Sequence, residues 1–196
     1  MKYLPLIVAY LLGSIPSGLL IARSKGVDLR KEGSGNIGAT NVARILGKKS
    51  GLIVLLLDMA KGFVPVMAVR LFWHGELPTD HVAAITGLFA VVGHCFPIFL
   101  KFKGGKGVAT AVGVFLALSP LALAVAAVGF VVTVWLTRYV SLGSMVAALM
   151  MPFAMNLFYK GNQAYIFVAW VIAAIIWWQH RENVKRLVKG KESKFK

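Results

Sequence analysis

The chain has 196 residues, 58% hydrophobic and 15% charged, against about 45–50% and about 25% in an average soluble domain. So much apolar surface excludes most soluble enzymes, disordered chains and coiled coils, and leaves an integral membrane protein. The 22 Lys and Arg against 7 Asp and Glu give a formal charge of +15. This points to an anionic membrane surface, anionic substrates or both, and not to nucleic acid. The single cysteine, Cys95, excludes an internal disulfide and a four-cysteine zinc site.

Apolar runs near the ~20 residues of a spanning helix cover 3–22, 52–73, 82–100, 139–158 and 164–179, with one longer run over 108–137. The first lacks a small-x-small cleavage site and is followed by Arg23 and Lys25, so it reads as a span and not a cleaved signal. Lys and Arg crowd 23–51, 101–107 and the tail from 181, whereas 74–81 carries Glu76 and Asp80 with no Lys or Arg. The positive-inside rule puts the three basic segments in the cytoplasm and 74–81 outside. The chain must then cross an even number of times between 101–107 and the tail. That holds if 108–137 is two helices broken near Ser119-Pro120, because proline disfavours helix before it. The expected fold is an all-α integral membrane bundle of seven transmembrane helices in a single membrane domain, 1–196. The N-terminus is outside and the C-terminus cytoplasmic, with one span pair broken near Pro120. The competing reading is one tilted helix over 108–137 and six spans.

Four polar clusters fall on the cytoplasmic side. Gly33-Ser34-Gly35-Asn36-Ile37-Gly38-Ala39-Thr40-Asn41, followed by Arg44, alternates glycine with hydroxyl and amide groups and can turn backbone N–H groups toward an oxyanion. Thr40 or Asn41 is placed to cap a short helix through Gly47, with Asn41 and Arg44 on one face. Lys103-Gly104-Gly105-Lys106-Gly107 opens a helix and joins close backbone approach, a helix N-terminus and two ammonium groups. Its spacing is not that of a Walker A loop. Ser141 and Ser144 can face the bundle interior together, as ligands or as packing. His180 and Asn183 share a helix face where a helix leaves the membrane. Asp58 and Lys61, three residues apart inside a span, read as a pair that supports the site. His94 beside Cys95 has no companion ligands for a metal.

The basic clusters hold no carboxylate pair, no H-x-x-x-x-D arrangement and no G-x-S-x-G elbow. Basic and hydroxyl groups without bases suit a reaction whose leaving group is already good and anionic, with electrostatic stabilisation supplying most of the rate.

Gly33–Asn41, Gly93-His-Cys-Phe-Pro97 running into Phe102–Thr110, Tyr139-Val-Ser-Leu-Gly143 and His180-Arg-Glu-Asn183 with Arg186-Leu187 together resemble the bacterial acyl-phosphate:glycerol-3-phosphate acyltransferases. The resemblance runs essentially end to end. It implies a multi-pass protein of the bacterial inner membrane with its active site at the cytoplasmic face. The implied reaction opens phospholipid synthesis: the sn-1 hydroxyl of glycerol 3-phosphate attacks a fatty acyl phosphate, giving lysophosphatidic acid and inorganic phosphate. Acyl phosphate, glycerol 3-phosphate and membrane lipids are the implied partners, with no cofactor, metal or nucleic acid, and a monomer is expected. It also implies the site residues: Ser34, Arg44, Lys103, Ser141, His180 and Asn183 in catalysis. Lys103 and Arg44 neutralise phosphate, Ser34 and Ser141 donate hydrogen bonds, and His180 and Asn183 orient the glycerol part. Gly35, Asn36, Gly38, Thr40, Asn41, Gly104, Gly105, Lys106 and Gly107 bind phosphate or shape the loops. Two proton acceptors stay open, the substrate's own phosphate and His180. The alternative function is a phosphate or organophosphate transporter, although the polar groups lie on one face and no internal repeat is visible.

Overall fold

The computed structural model describes residues 3–195, and every regular element among them is helical. The chain divides into two compact units, Met1–Val114 and Phe115–Lys196.

The first unit opens with α1 (Leu4–Gly13) and α2 (Ser17–Arg23), where the sequence suggested one run over 3–22. The chain breaks between them because Pro16 has no N–H to donate and disfavours helix at Ile15. The Ile15 carbonyl left at the break accepts from Lys61 Nζ at 3.0 Å. Helix α3 (Ala39–Phe72) starts well before its apolar run and is interrupted at Gly47, whose φ of 83° and ψ of 164° lie outside helical space. The short helix before Gly47 is the expected one. Its N-cap, however, is Gly38 with no side-chain cap, and neither Thr40 nor Asn41. Helix α4 (Thr79–Cys95) runs into a 3₁₀ turn at Ile98–Leu100, and α5 (Val108–Leu118) follows. Helix α1 packs on α4 and α3 through small residues. A Cβ on Gly13 would collide with the Ala90 carbonyl, and one on Gly93 with the Tyr10 carbonyl. Such close backbone approach is how helices associate where lipid supplies no hydrophobic drive.

The second unit holds α6 (Pro120–Thr137), α7 (Val140–Phe158), α8 (Gln163–Gln179) and α9 (Arg181–Val188). Run 108–137 is broken where the sequence placed the break. Buried Ser119 caps α6 by accepting from the Ala122 N–H at 3.3 Å, and Pro120 occupies the first turn, where its missing N–H costs nothing. Helix α7 packs between α6 and α8. Helices α8 and α9 meet at His180 with a 55° bend.

Five segments are long and apolar enough to cross a membrane: Leu4–Arg23, Ala39–Phe72, Thr79–Leu100, Pro120–Thr137 and Val140–Phe158. The bent pair α8–α9 adds a sixth where it counts as one broken span, and α5 is shorter. Large apolar side chains stand outward, such as Val128, Val131, Trp135 and Leu136 on α6 and Leu52 and Leu56 on α3. Water would not tolerate that surface and lipid does. The protein is an all-helical, multi-pass membrane protein.

Candidate active site

The first glycine-rich loop is folded around Asn41. This side chain is 2% exposed and lies in the first turn of α3. Its Oδ1 accepts from the Ser34 N–H at 2.9 Å. Its Nδ2 donates to the carbonyls of Glu32 at 3.1 Å and Asn36 at 2.8 Å. Asn36 Oδ1 in turn accepts from the Gly38 N–H at 2.9 Å. Gly33 sits at φ 58°, and any Cβ there would strike Asn41 Oδ1, so glycine is required on both counts. Asn41 therefore commits both ends of its amide to the loop, and Asn36 its oxygen. Ser34, Gly35, Thr40 and Arg44 are exposed along this rim, and Arg44 stands one turn beyond buried Asn41.

The second loop hangs from the end of α4. The Gly104 N–H donates to the Cys95 carbonyl at 3.1 Å, and the Gly105 N–H to the His94 carbonyl at 3.0 Å. Neither glycine can carry a side chain. A Cβ at 104 would enter the His94 carbonyl, and one at 105 would enter the His94 ring. The backbone of these two residues is thus spent on docking. This docking does not engage the N–H groups in the first turn of α5, where the helix dipole favours an anion. Before the loop, Lys101 and Phe102 both adopt left-handed backbone, at φ 53° and 61°, which non-glycine residues seldom do. This pair turns the exposed Lys103 out of the 3₁₀ turn. Arg30 Nη2 donates to the Lys103 carbonyl at 3.3 Å, so the segment leading into the first loop touches the second.

In the second unit Ser141, Asn183 and Arg186 meet on one carboxylate. Ser141 Oγ donates to Glu192 Oε1 at 2.8 Å and Asn183 Nδ2 donates to the same oxygen at 2.6 Å. Arg186 Nε donates to Oε2 at 2.7 Å. Burial alone would raise the Glu192 pKa. The hydrogen bonds from Arg186, Ser141 and Asn183 and the Arg186 charge outweigh it and hold the carboxyl below its usual 4.5. Ser141 thus gives its hydrogen inward, to Glu192. Ser144 is also turned inward, onto the Val140 carbonyl at 2.9 Å. His180, 2% exposed, sits at the bend with Nδ1 2.8 Å from the Ile176 carbonyl. A carbonyl only accepts, so this contact assigns the proton to Nδ1.

Two residues escape the sequence reading. Glu192 lies in a charged tail beyond the last apolar run, where a lone acid reads as a solvated side chain. Arg30 reads only as one more inside-face charge. Both act through contacts to residues remote in the chain.

The family model described as Glycerol-3-phosphate acyltransferase matches residues 3–190. The glycerol-3-phosphate acyltransferase of Geotalea daltonii is 51% identical over 191 residues, covering 97% of this chain and 96% of the relative. That of Aquifex aeolicus is 49% identical over 203 residues, covering all of both. Crystal structures of PlsY (YgiH), an integral membrane glycerol 3-phosphate acyltransferase, superpose on the whole chain. The glycerol 3-phosphate form gives a TM-score of 0.91 at 45% identity over 96% of that chain. The lysophosphatidic acid form gives 0.88 at 44% over 95%. With identity of this order along its full length, the chain belongs to the glycerol-3-phosphate acyltransferase family and is a membrane acyltransferase, not a transporter.

Proposed function

We propose that the protein transfers a fatty acyl group from acyl phosphate to the sn-1 hydroxyl of glycerol 3-phosphate, releasing lysophosphatidic acid and inorganic phosphate at the cytoplasmic face of the bacterial inner membrane. The observation that carries this reading is the bond from Arg30 to the Lys103 carbonyl. It brings the segment leading into the first glycine-rich loop against the second, within one unit, which suits a reaction between two phosphate-bearing substrates. Seven crossings are part of the same reading: the five long spans, α8 with α9, and α5 as a short seventh of about 16 Å, with the N-terminus outside.

In this scheme Lys103 and Arg44 neutralise phosphate charge and Ser34 donates a hydrogen bond. Ser141, its own hydrogen held by Glu192, offers lone pairs to the attacking hydroxyl. His180 and Asn183 orient the glycerol part. Gly35, Gly38, Thr40, Lys106 and Gly107 complete the phosphate-binding rim, with Asn36, Asn41, Gly104 and Gly105 holding its shape. The sn-1 oxygen adds to the acyl carbonyl, the C–O bond to phosphate breaks, and the leaving phosphate takes the hydroxyl proton. An acyl phosphate is a mixed anhydride whose leaving group needs little acid assistance, so fixed positive charge supplies most of the stabilisation. Glu192, held ionised by three donors, is a poor proton acceptor near neutral pH.

The test is phosphate release by the purified protein in lipid, given palmitoyl phosphate with and without glycerol 3-phosphate. Release that depends on glycerol 3-phosphate and yields lysophosphatidic acid is the expected result. Activity with acyl-CoA or acyl carrier protein donors alone overturns the choice of donor.

A further inference from the structure

Beneath the second loop lies a buried ionisable cluster to which the proposed reaction gives no role. Asp58 is 2% exposed and His94 6%. Lys61 Nζ stands 2.9 Å from Asp58 Oδ1, and His94 Nδ1 stands 3.8 Å from the same oxygen. Among the described residues neither Asp58 Oδ1 nor His94 Nδ1 has a hydrogen-bond partner, although Asp58 is ion-paired to Lys61. Ionisable groups are expensive inside a membrane bundle and need a reason to be there. A pair within α3, with Lys61 also reaching the Ile15 carbonyl, would be sufficient to account for Asp58 and Lys61. It does not account for His94, whose remaining contacts point the other way. The ring occupies the space that a Gly105 side chain would need, and its backbone carbonyl accepts the Gly105 N–H at 3.0 Å. A cavity of about 10 Å³ borders Asp58, Lys61 and His94, room for roughly one water. On that side the ring faces the Asp58 carboxylate, with Nδ1 3.8 Å from Oδ1.

We infer that His94 is a positioning residue for the glycine–lysine loop, and that Asp58 acts through it. The imidazole is the floor on which Gly105 lies. The carboxylate fixes the tilt of that floor from the membrane side, with Lys61 holding the carboxylate and tying it to the α1–α2 break. A change at Asp58 therefore reaches Lys103 and the start of α5 without touching substrate. The inference rests on the reading of this loop as a substrate phosphate site.

The test is full two-substrate kinetics in lipid for wild type, His94→Gln, His94→Ala, Asp58→Asn and the double variant D58N/H94Q, with Lys103→Ala as reference. KM does not depend on how much protein is correctly folded, so it separates positioning from mere loss of structure. The expected result is a rise of at least fivefold in KM for one phosphate substrate only, in each single variant, with kcat falling less than KM rises. The double variant should be no worse than the worse single, because both changes act on one path. The inference is overturned if both KM values stay within twofold while kcat falls, or if the single effects multiply in the double variant. Should His94→Ala fail to accumulate, the near-isosteric Gln and Asn variants carry the same comparison. If Lys103→Ala itself loses less than tenfold in kcat/KM, the loop is not a substrate site and that reading fails, taking this inference with it. If Lys103→Ala falls steeply while the His94 and Asp58 variants keep their KM values, only the positioning role fails.

Discussion

Ser141 and Glu192 are joined by a 2.8 Å hydrogen bond in which the serine gives its proton to a carboxylate from the extreme C-terminal segment. The same carboxylate holds Asn183 and Arg186, so one acid in an irregular stretch organises side chains from α7 and α9. Replacing Glu192 with Ala should lower kcat/KM by more than tenfold and destabilise the fold by about 2 kcal/mol, the scale of removing charge-assisted bonds. Kinetics and thermal unfolding in detergent check both.

Glu192 also makes a prediction in pH. Its carboxyl is held below 4.5 in the fold, so its stabilising contribution is complete above about pH 5 and is lost as pH falls through the depressed value. The gap in unfolding temperature between wild type and Glu192→Gln should be constant from neutral pH down to about 5 and close in more acid solution. A gap that widens in acid would show the reverse shift.

Lys103→Ala and Arg44→Ala should each cost about 2–4 kcal/mol of transition-state stabilisation, the scale of removing one preorganised group. The readout is kcat/KM with saturating partner substrate. A loss below tenfold in both would remove these residues from the site.

His180→Gln should keep a near-wild-type maximal rate and an unshifted pH–rate profile while KM for glycerol 3-phosphate rises. That outcome follows if the leaving phosphate takes the proton and His180 only orients. A collapse of kcat with loss of the basic limb would make His180 the base.

Asn41→Ala should weaken the first loop by about 1–2 kcal/mol, less than a core amide would. The Ser34 N–H and the Glu32 carbonyl that it releases lie at an exposed rim and can turn to water. The effect should appear as a raised KM before it appears as a lowered unfolding temperature.

Much of this architecture is legible in the sequence. Hydropathy gives the long helices, and the charge parity argument breaks 108–137 at Ser119-Pro120, where α5 ends and α6 begins. Pro16 splits the first run in the same way. Proline alone does not decide it, since helix runs on through Pro65 and Pro152. What separates these cases is tertiary: the carbonyl left at Ile15 has Lys61 to receive it, and the α6 start has the Ser119 hydroxyl. No local pattern carries that information. In the loops, glycine with asparagine and lysine marks two segments that fold as tight, hydrogen-bonded turns. Composition cannot say which polar groups face inward, so it leaves Asn41, Gly104 and Gly105 open between binding phosphate and shaping the loops, where their hydrogen bonds lie within the loops themselves. Glu192 and Arg30 were invisible for a related reason, because their partners are set by the folding of distant segments.

The glycine contacts between α1 and α4 carry one more consequence. Gly13 meets Ala90 and Gly93 meets Tyr10, two antiparallel contacts in the same register, and the Tyr10 hydroxyl reaches the Phe96 carbonyl at 2.9 Å. Sliding α4 by one turn would put Phe89 where Gly93 meets the Tyr10 carbonyl, and sliding α1 would put Ala9 where Gly13 meets the Ala90 carbonyl, so the pair has one vertical setting. The depth of the Pro16 break is therefore dictated by α4, the helix that also carries His94. The chain has built a gauge: the end of α4 measures where the first helix must stop, and the loop above takes its height from the same rule.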